Sequence, residues 1–409
     1  MPTLAILCIV THVTRMVVSA YVAFAAFGSF WGVWGASVPR VQHQAGIGDG
    51  QLGLALLFVG AGALPAMLLT GRALDRWGFT VAAVAIGALG VVGAGLAFSA
   101  VGLASLCAAL ALVGATSGAA DVAMNAVAGR AETLAGRPVI TRAHGVFSSL
   151  VVLASLATGL ASAASLPLAV PFAAVAALSL VAGAFLGKTL PAGATRERHA
   201  GAAPPRGRWI VPLLLIGVLG ALAFASENAH QSWSAVFAHD ELRSGTGLSA
   251  VAPAVFAGTV AITRFAIGGL GAARARTVLL AGALGAAAGA TVIAAAPTLI
   301  IAGLGLAVAA AGTAVLFPTL IGIVSRTVDE SHRGRATSVV TTVSYLGFLA
   351  GPVYVGLWSD AVGLRGAMIA VAALGAGLFL LTPALLRLSG TDRSGSRPRE
   401  NALCLEGAS

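Results

Sequence analysis

The sequence predicts an all-α membrane protein with twelve transmembrane helices in two pseudo-symmetric bundles of six. Three observations carry that expectation. Hydrophobic residues make up 58% of the 409-residue chain and charged residues only 9%, with a mean hydropathy of +0.95. A soluble domain carries about 25% charged residues, so this chain cannot clothe a surface that faces water. Its apolar residues gather into twelve runs close to the span, about 20 residues, that crosses a bilayer as a helix. One polar stretch divides those runs six and six.

The runs lie near residues 17–38, 51–70, 79–99, 104–128, 145–165, 168–187, 209–238, 249–268, 277–296, 298–325, 337–359 and 364–387. Period-2 alternation is absent and Ala, Leu and Gly dominate, so each run reads as a helix rather than a barrel strand. The seventh is long enough to be broken or extended. The abundant glycine, 53 residues, permits close helix packing. Between the sixth and seventh runs stands KTLPAGATRERHAGAAPPRGR, which is Pro-, Gly- and Arg-rich and has no periodicity, as expected of a linker. The expected organisation is a first bundle over 1–187, a cytoplasmic linker over 188–208, a second bundle over 209–388 and a cytoplasmic tail over 389–409.

The formal net charge of +10 does not point to nucleic acid, because the basic residues sit between hydrophobic runs without an aromatic-basic pattern. Counted by alternate loops, 20 of the 24 Lys and Arg fall on one side of the membrane and three (Arg40, Arg243 and Arg365) on the other, with Arg264 inside the eighth run. The rich side is therefore read as cytoplasmic. Both termini share that side, as an even helix count requires, in a cytoplasmic (inner) membrane. Cys8, Cys107 and Cys404 are too scattered for a disulfide framework or a metal site. The opening MPTLAILCIV has no basic region before it and no clear cleavage site, so it is not read as a signal peptide.

The loop after the second run is GRALDRWG, residues 71–78. Its glycines permit a tight turn, and Asp75 is a carboxylate at a helix end, suited to an Arg or a helix N-terminus. A plain charged turn that only orients the protein is the simpler reading. With its position and the six-plus-six division, the loop resembles the signature of the major facilitator superfamily, matched by Gly71, Asp75, Arg76 and Gly78. The resemblance implies two six-helix bundles rocking about a central site, with this loop as an inner latch. The corresponding loop of the second half, TRFAIGGLGAARARTV, keeps Arg264 but has Gly269 where the family often has Asp, so only the first latch is expected to work. DVAMNAVAGRAE, HGVFSSL, ENAHQSWSAVF and YLGFLAGP resemble the fucose-permease-like branch of bacterial inner-membrane permeases. The fifth run lacks the Gly-Pro element of many drug antiporters, whereas Gly351-Pro352 sits in the eleventh.

Asp121 is the most conspicuous residue, a carboxylate in an apolar run about 10 Å from the cytoplasmic end at 1.5 Å per residue. Gly114, Ser117, Asp121 and Asn125 follow three- and four-residue steps and share a face. Such a stripe faces a bundle interior or a wet cavity, where a carboxyl group suits proton carriage. The resemblance implies the same, since an acidic residue on the fourth helix has the proton role in the fucose-permease-like branch. A structural ion pair with Arg130 or Arg142 is the competing reading. On the seventh run Glu227, His230, Gln231 and Ser234 share a face and could bind a polar solute, or form an outer-gate network without touching it. Glu227-x-x-His230 lacks the second pair a di-iron site needs, so no metal is expected. Phe27, Trp31 and Trp34 could stack on a ring-bearing solute or simply pack. Arg264 reads as a residue snorkelling to the inner surface, and His144 as an interfacial histidine.

GAFLGKT, residues 183–189, has three residues between its glycines where a phosphate loop has four, and it ends a helix without a preceding strand. No ATP site, cofactor or catalytic set is expected. The reading is a proton-coupled secondary transporter for a small solute, working by alternating access as a monomer in a lipid bilayer. The alternatives are a proton-driven efflux pump for a drug-like solute, a membrane-embedded enzyme and a non-transporting sensor.

Overall fold

The computed structural model describes residues 2–191, 210–267, 274–328 and 330–389. The chain is helical throughout these residues. The first half runs α1 (Pro2–Ala45), α2 (Asp49–Trp77), α3 (Thr80–Ser99), α4 (Leu103–Ala135), α5 (Ile140–Ala163) and α6 (Ala169–Thr189). The second runs α7 (Ile210–Val236), a π-helical turn (Phe237–Glu241), α8 (Thr246–Ser249), α9 (Val251–Ile267), α10 (Ala275–Ala295), α11 (Leu299–Ala314), α12 (Leu316–Thr327) and α13 (Glu330–Leu388). A backbone in hydrocarbon must satisfy its own N–H and C=O groups, which a helix does within one segment. Most of the linker, residues 192–209, and the tail from 390 lie outside the described residues, as does Gly269.

Eleven helical stretches of the described residues are long and apolar enough to cross a membrane, against the twelve expected. The difference lies in α13. Its 59 residues turn at Gly363, where φ is 78° and ψ is 168°, so the eleventh and twelfth runs join without a loop. The seventh run extends into the π turn, as its length suggested. The tenth divides into α11 and α12 at Val315.

Helix ends follow local chemistry. Gly136 closes α4 in the left-handed region and donates to Glu132 O at 3.0 Å. Glu132 Oε2 then accepts from Val139 N at 2.8 Å and Ile140 N at 3.0 Å. A carboxylate on these first amides satisfies donors that have no partner inside α5.

The same pairings recur in both halves. α1 packs on α5 and α7 on α13; α2 packs on α4 and α9 on α11; α3 packs on α6 and α10 on α13. Small residues make these approaches possible. A Cβ on Gly114 would sit 1.9 Å from Val59 O, and one on Gly347 would sit 1.8 Å from Ala221 O.

The halves meet tightly at one end, called here the sealed end, and α5 also packs on α9 toward the other, where a Cβ on Gly145 would lie 2.6 Å from the Phe265 ring. Asp49 accepts from Gln42 Nε2 at 2.7 Å and from Ser359 Oγ at 2.5 Å. Gly50 N donates to Asp360 Oδ1 at 2.9 Å. Gly53 of α2 approaches Gly356 and Pro352 of α13, and Gly159 of α5 approaches Gly247 of α8. Two turns beyond Gly60 on α2, Leu68 is 73% exposed. The close approaches of α2 to α13 at Gly50, Gly53 and Gly60 lie toward the sealed end.

Candidate functional site

Two prolines help to shape the centre of the second half. A proline has no N–H and leaves the carbonyl four residues earlier unpaired within its helix. Pro352 of α13 frees Phe348 O, which accepts from Asn228 Nδ2 of α7 at 2.6 Å. Pro318 of α12 frees Ala314 O, which accepts from Arg264 Nε of α9 at 3.3 Å. The same Arg264 donates through Nη2 to Glu227 Oε1 at 3.0 Å. Arg264 therefore does not snorkel to the inner surface; it ties α7, α9 and the α11–α12 break together. The next residue of α9, Phe265, packs on α5 of the other half, where a Cβ on Gly145 would lie 2.6 Å from its ring, and His144 stands edge-on to Phe24 at 4.9 Å.

Asp121 is half-buried on α4, and Asn125 Nδ2 donates to its Oδ1 at 3.1 Å and to its backbone oxygen at 2.9 Å. Among the described residues it has no ion-pair partner, so the expected alternatives with Arg130 or Arg142 are not formed. Tyr345 belongs to a ring cluster with Phe224, Phe317 and Phe348, in which Phe224 lies 4.3 Å from Phe317 and 5.6 Å from Tyr345 between centroids. On the opposite side Phe27 packs on Phe147 at 5.8 Å and on Trp31 at 6.3 Å. Trp31 remains half-exposed, whereas Trp34 is buried in the core.

The polar stripe of α7 divides. Glu227 turns to Arg264, and Gln231 is half-buried without a hydrogen bond among the described residues. His230 turns into the second half itself, 1% exposed, with Nδ1 2.7 Å from Ser226 O and its ring stacked on Phe256. Sharing a face of a helix did not bring these four groups to one place.

In the signature loop, Gly78 is the turn, with φ 61°. Gly71 lies inside α2, where a Cβ would meet no atom within 4 Å. The expected tight-turn role is thus correct for Gly78 and not for Gly71. Asp75 is exposed without an ion-pair partner among the described residues, and Arg76 lies over the Trp77 ring at 5.4 Å.

Arg264, Asn228 and the Phe224–Phe317–Tyr345–Phe348 cluster were not singled out as site residues. The signal was present as prolines inside apolar runs and as Tyr345 and Phe348 three residues apart.

The many long apolar helices define a multi-pass membrane protein, and the comparisons place it in a transporter family. The family model for the Major Facilitator Superfamily matches residues 254–405. A Yersinia pestis protein described as an uncharacterised MFS-type transporter is 30% identical over 345 residues, covering 82% of this chain and 87% of that protein. The chain belongs to the major facilitator superfamily. Its fold is similar to that of a point mutant of the nucleoside transporter NupG, with TM-score 0.74 and 14% identity, covering 91% of this chain and 99% of that one. It is also similar to the inward-facing, occupied bacterial homologue of the human lysosomal transporter Spinster (0.71, 15%, 91% and 97%) and to the inward-open xylose transporter XylE of E. coli (0.69, 13%, 92% and 96%). At these identities the solved structures speak for the fold alone.

Proposed function

We propose that the chain is a proton-coupled secondary transporter that moves a small polar, ring-bearing solute across the cytoplasmic membrane by alternating access. The observation that carries this reading is the facing of unlike groups across the two halves. Asp121 with Asn125 lies in the first half and Arg264 with Glu227 in the second, and the neighbours of His144 and Arg264, Gly145 and Phe265, pack on one another across the halves. Carboxylates, an amide and a guanidinium can hydrogen-bond a polar solute, while the rings around Phe224 and Phe27 offer faces for stacking.

In this reading α13 is two spans joined at Gly363, which makes twelve, divided six and six about the linker. The Arg-rich GRALDRWG side is cytoplasmic, so both termini are inside and the sealed end is the outer one. The state described is then inward-open. Asp121 carries the proton, and Asn125, Glu227, Gln231, Phe27 and Trp31 meet the solute. GRALDRWG latches the inner side in the opposite state. His230 and Trp34, 1% and 5% exposed, are assigned to the interior rather than to the solute.

The test is flux into proteoliposomes across a panel of nucleosides, sugars, carboxylates and drug-like cations, with and without an imposed pH gradient. Gradient-driven movement of a polar metabolite supports the proposal. Movement of the cations alone would make the protein a drug efflux pump, and uptake indifferent to the gradient would remove the proton coupling.

A further inference from the structure

A second polar place lies away from the groups shared by the two halves. Near the sealed end, within the second half, His230, Ser234, Phe237, Ile293, Gly303 and Met368 line a small cavity. His230 is 1% exposed and Ser234 8%, and neither His230 Nε2 nor Ser234 Oγ has a hydrogen-bond partner among the described residues. Leaving such atoms unpaired typically costs about 1–3 kcal/mol each. Ser226 O, which can only accept, fixes the proton of a neutral imidazole on Nδ1. Nε2 then presents a lone pair to the cavity. The hydrocarbon of the other lining side chains offers it no donor.

We propose that this cavity is a hydration site, in which water donates to His230 Nε2 and accepts from Ser234 Oγ. The space is about 20 Å³ by the positions open to a water's centre, whereas one water needs roughly 10–15 Å³. The bound water completes both hydrogen bonds and gives the imidazole a proton-exchange partner near the sealed end. His230 is the only titratable residue of the lining. Charged groups flank the cavity on both sides: Glu227 with Arg264 one turn along α7, and His239 with Asp240 and Glu241 with Arg365 toward the loops. The second half thereby wets His230 without any opening between the halves. This site is independent of the role given to Asp121.

Met368 reports on the water directly. It lines the cavity yet is only 2% exposed, the same as Met124 in the core of the first half. X-ray radiolysis makes hydroxyl radicals from bound water, so the full-length protein in nanodiscs should oxidise at Met368 several-fold faster than at Met124. Gly303→Leu adds bulk at the lining, where a Cβ meets no atom within 4 Å, and leaves both polar groups in the sequence. It should bring Met368 down to the Met124 rate. Ser234→Val, which removes the hydroxyl without opening space, should lower the Met368 rate as well, and it serves if the plugged variant fails to fold. Equal protection of Met368 and Met124 in the unaltered protein would mean a dry cavity and overturn the proposal. So would a Met368 rate that neither variant changes.

Discussion

Arg264 Nη2 lies 3.0 Å from Glu227 Oε1, and this pair is the ionic tie between α9 and α7 among the described residues. Its two members are unequally wet, with the Arg264 side chain 46% exposed and that of Glu227 15%. Gln in place of Glu227 keeps the shape and an oxygen that can still accept from Arg264 Nη2. Glu227→Gln should therefore leave folded yield and melting temperature near those of the unaltered protein while weakening solute binding. Ligand-dependent thermal shift, with the first solute that the flux panel yields, measures this. An unchanged dissociation constant would return Glu227 to a purely structural role.

Gly114 and Gly71 should respond oppositely to the same substitution. A Cβ on Gly114 would lie 1.9 Å from Val59 O, which is backbone and cannot turn away. Overpacking of this kind costs typically 1–3 kcal/mol. A Cβ on Gly71 meets nothing within 4 Å inside α2, and Ala is the better helix former by about 1 kcal/mol. In thermal melts in detergent, Gly114→Ala should fall clearly and Gly71→Ala should hold or rise. Equal losses would deny the close α2–α4 packing.

The contrast between those glycines shows what was legible in the sequence. Runs of apolar residues gave the helices and their order, because in hydrocarbon local satisfaction of the backbone leaves few other choices. The signature loop was recognised, but which of its glycines makes the turn depends on where α2 ends, and such boundaries are soft. The stripe on α7 was visible by spacing. Its splitting was not, because spacing alone does not tell which neighbour each side chain meets. Glu227 follows Arg264, whereas His230 follows Ser226 O and Phe256. Arg264 itself was misread as snorkelling because its partners, Glu227 and the carbonyl freed by Pro318, are 37 and 50 residues away in the chain.

The sealed end should yield to bulk at Gly53. A Cβ there would already lie 2.9 Å from Pro352 O and 3.0 Å from Gly356 Cα. Gly53→Leu should pry α2 from α13 and strain the Asp49–Ser359 hydrogen bond. Spin labels at positions 47 and 362 should then move apart by double electron–electron resonance. Distances that match those of the unaltered protein would show that this contact does not hold the end shut.

Asp75 is exposed and unpaired among the described residues, so the latch proposed for GRALDRWG would be open in this state. A latch that closes only in the opposite state cannot stabilise this one. Asp75→Asn should therefore leave the melting temperature nearly unchanged and raise the share of molecules open at the GRALDRWG end. Alkylation of a cysteine placed at position 68, exposed on α2, reads that share. Unaltered labelling would reduce the loop to an orienting charge.

Asp121→Asn should separate solute binding from gradient-driven accumulation. The amide copies the shape and charge of a protonated carboxyl, and its oxygen can still accept from Asn125 Nδ2, now 3.1 Å from Asp121 Oδ1. It cannot release a proton. A carboxylate locked in a buried ion pair would behave otherwise, since removing one partner of such a pair costs about 3–5 kcal/mol. Because Asp121 has no ionic partner among the described residues, the variant should fold with near-normal yield. It should keep binding and counterflow, in which no net proton movement is needed, and lose uptake driven by a pH gradient. Folded yield, gradient-driven uptake and counterflow measured on the same preparation decide the matter. Normal uphill accumulation by the well-folded variant would remove Asp121 from proton coupling, and Glu227 would be the next carboxylate to test.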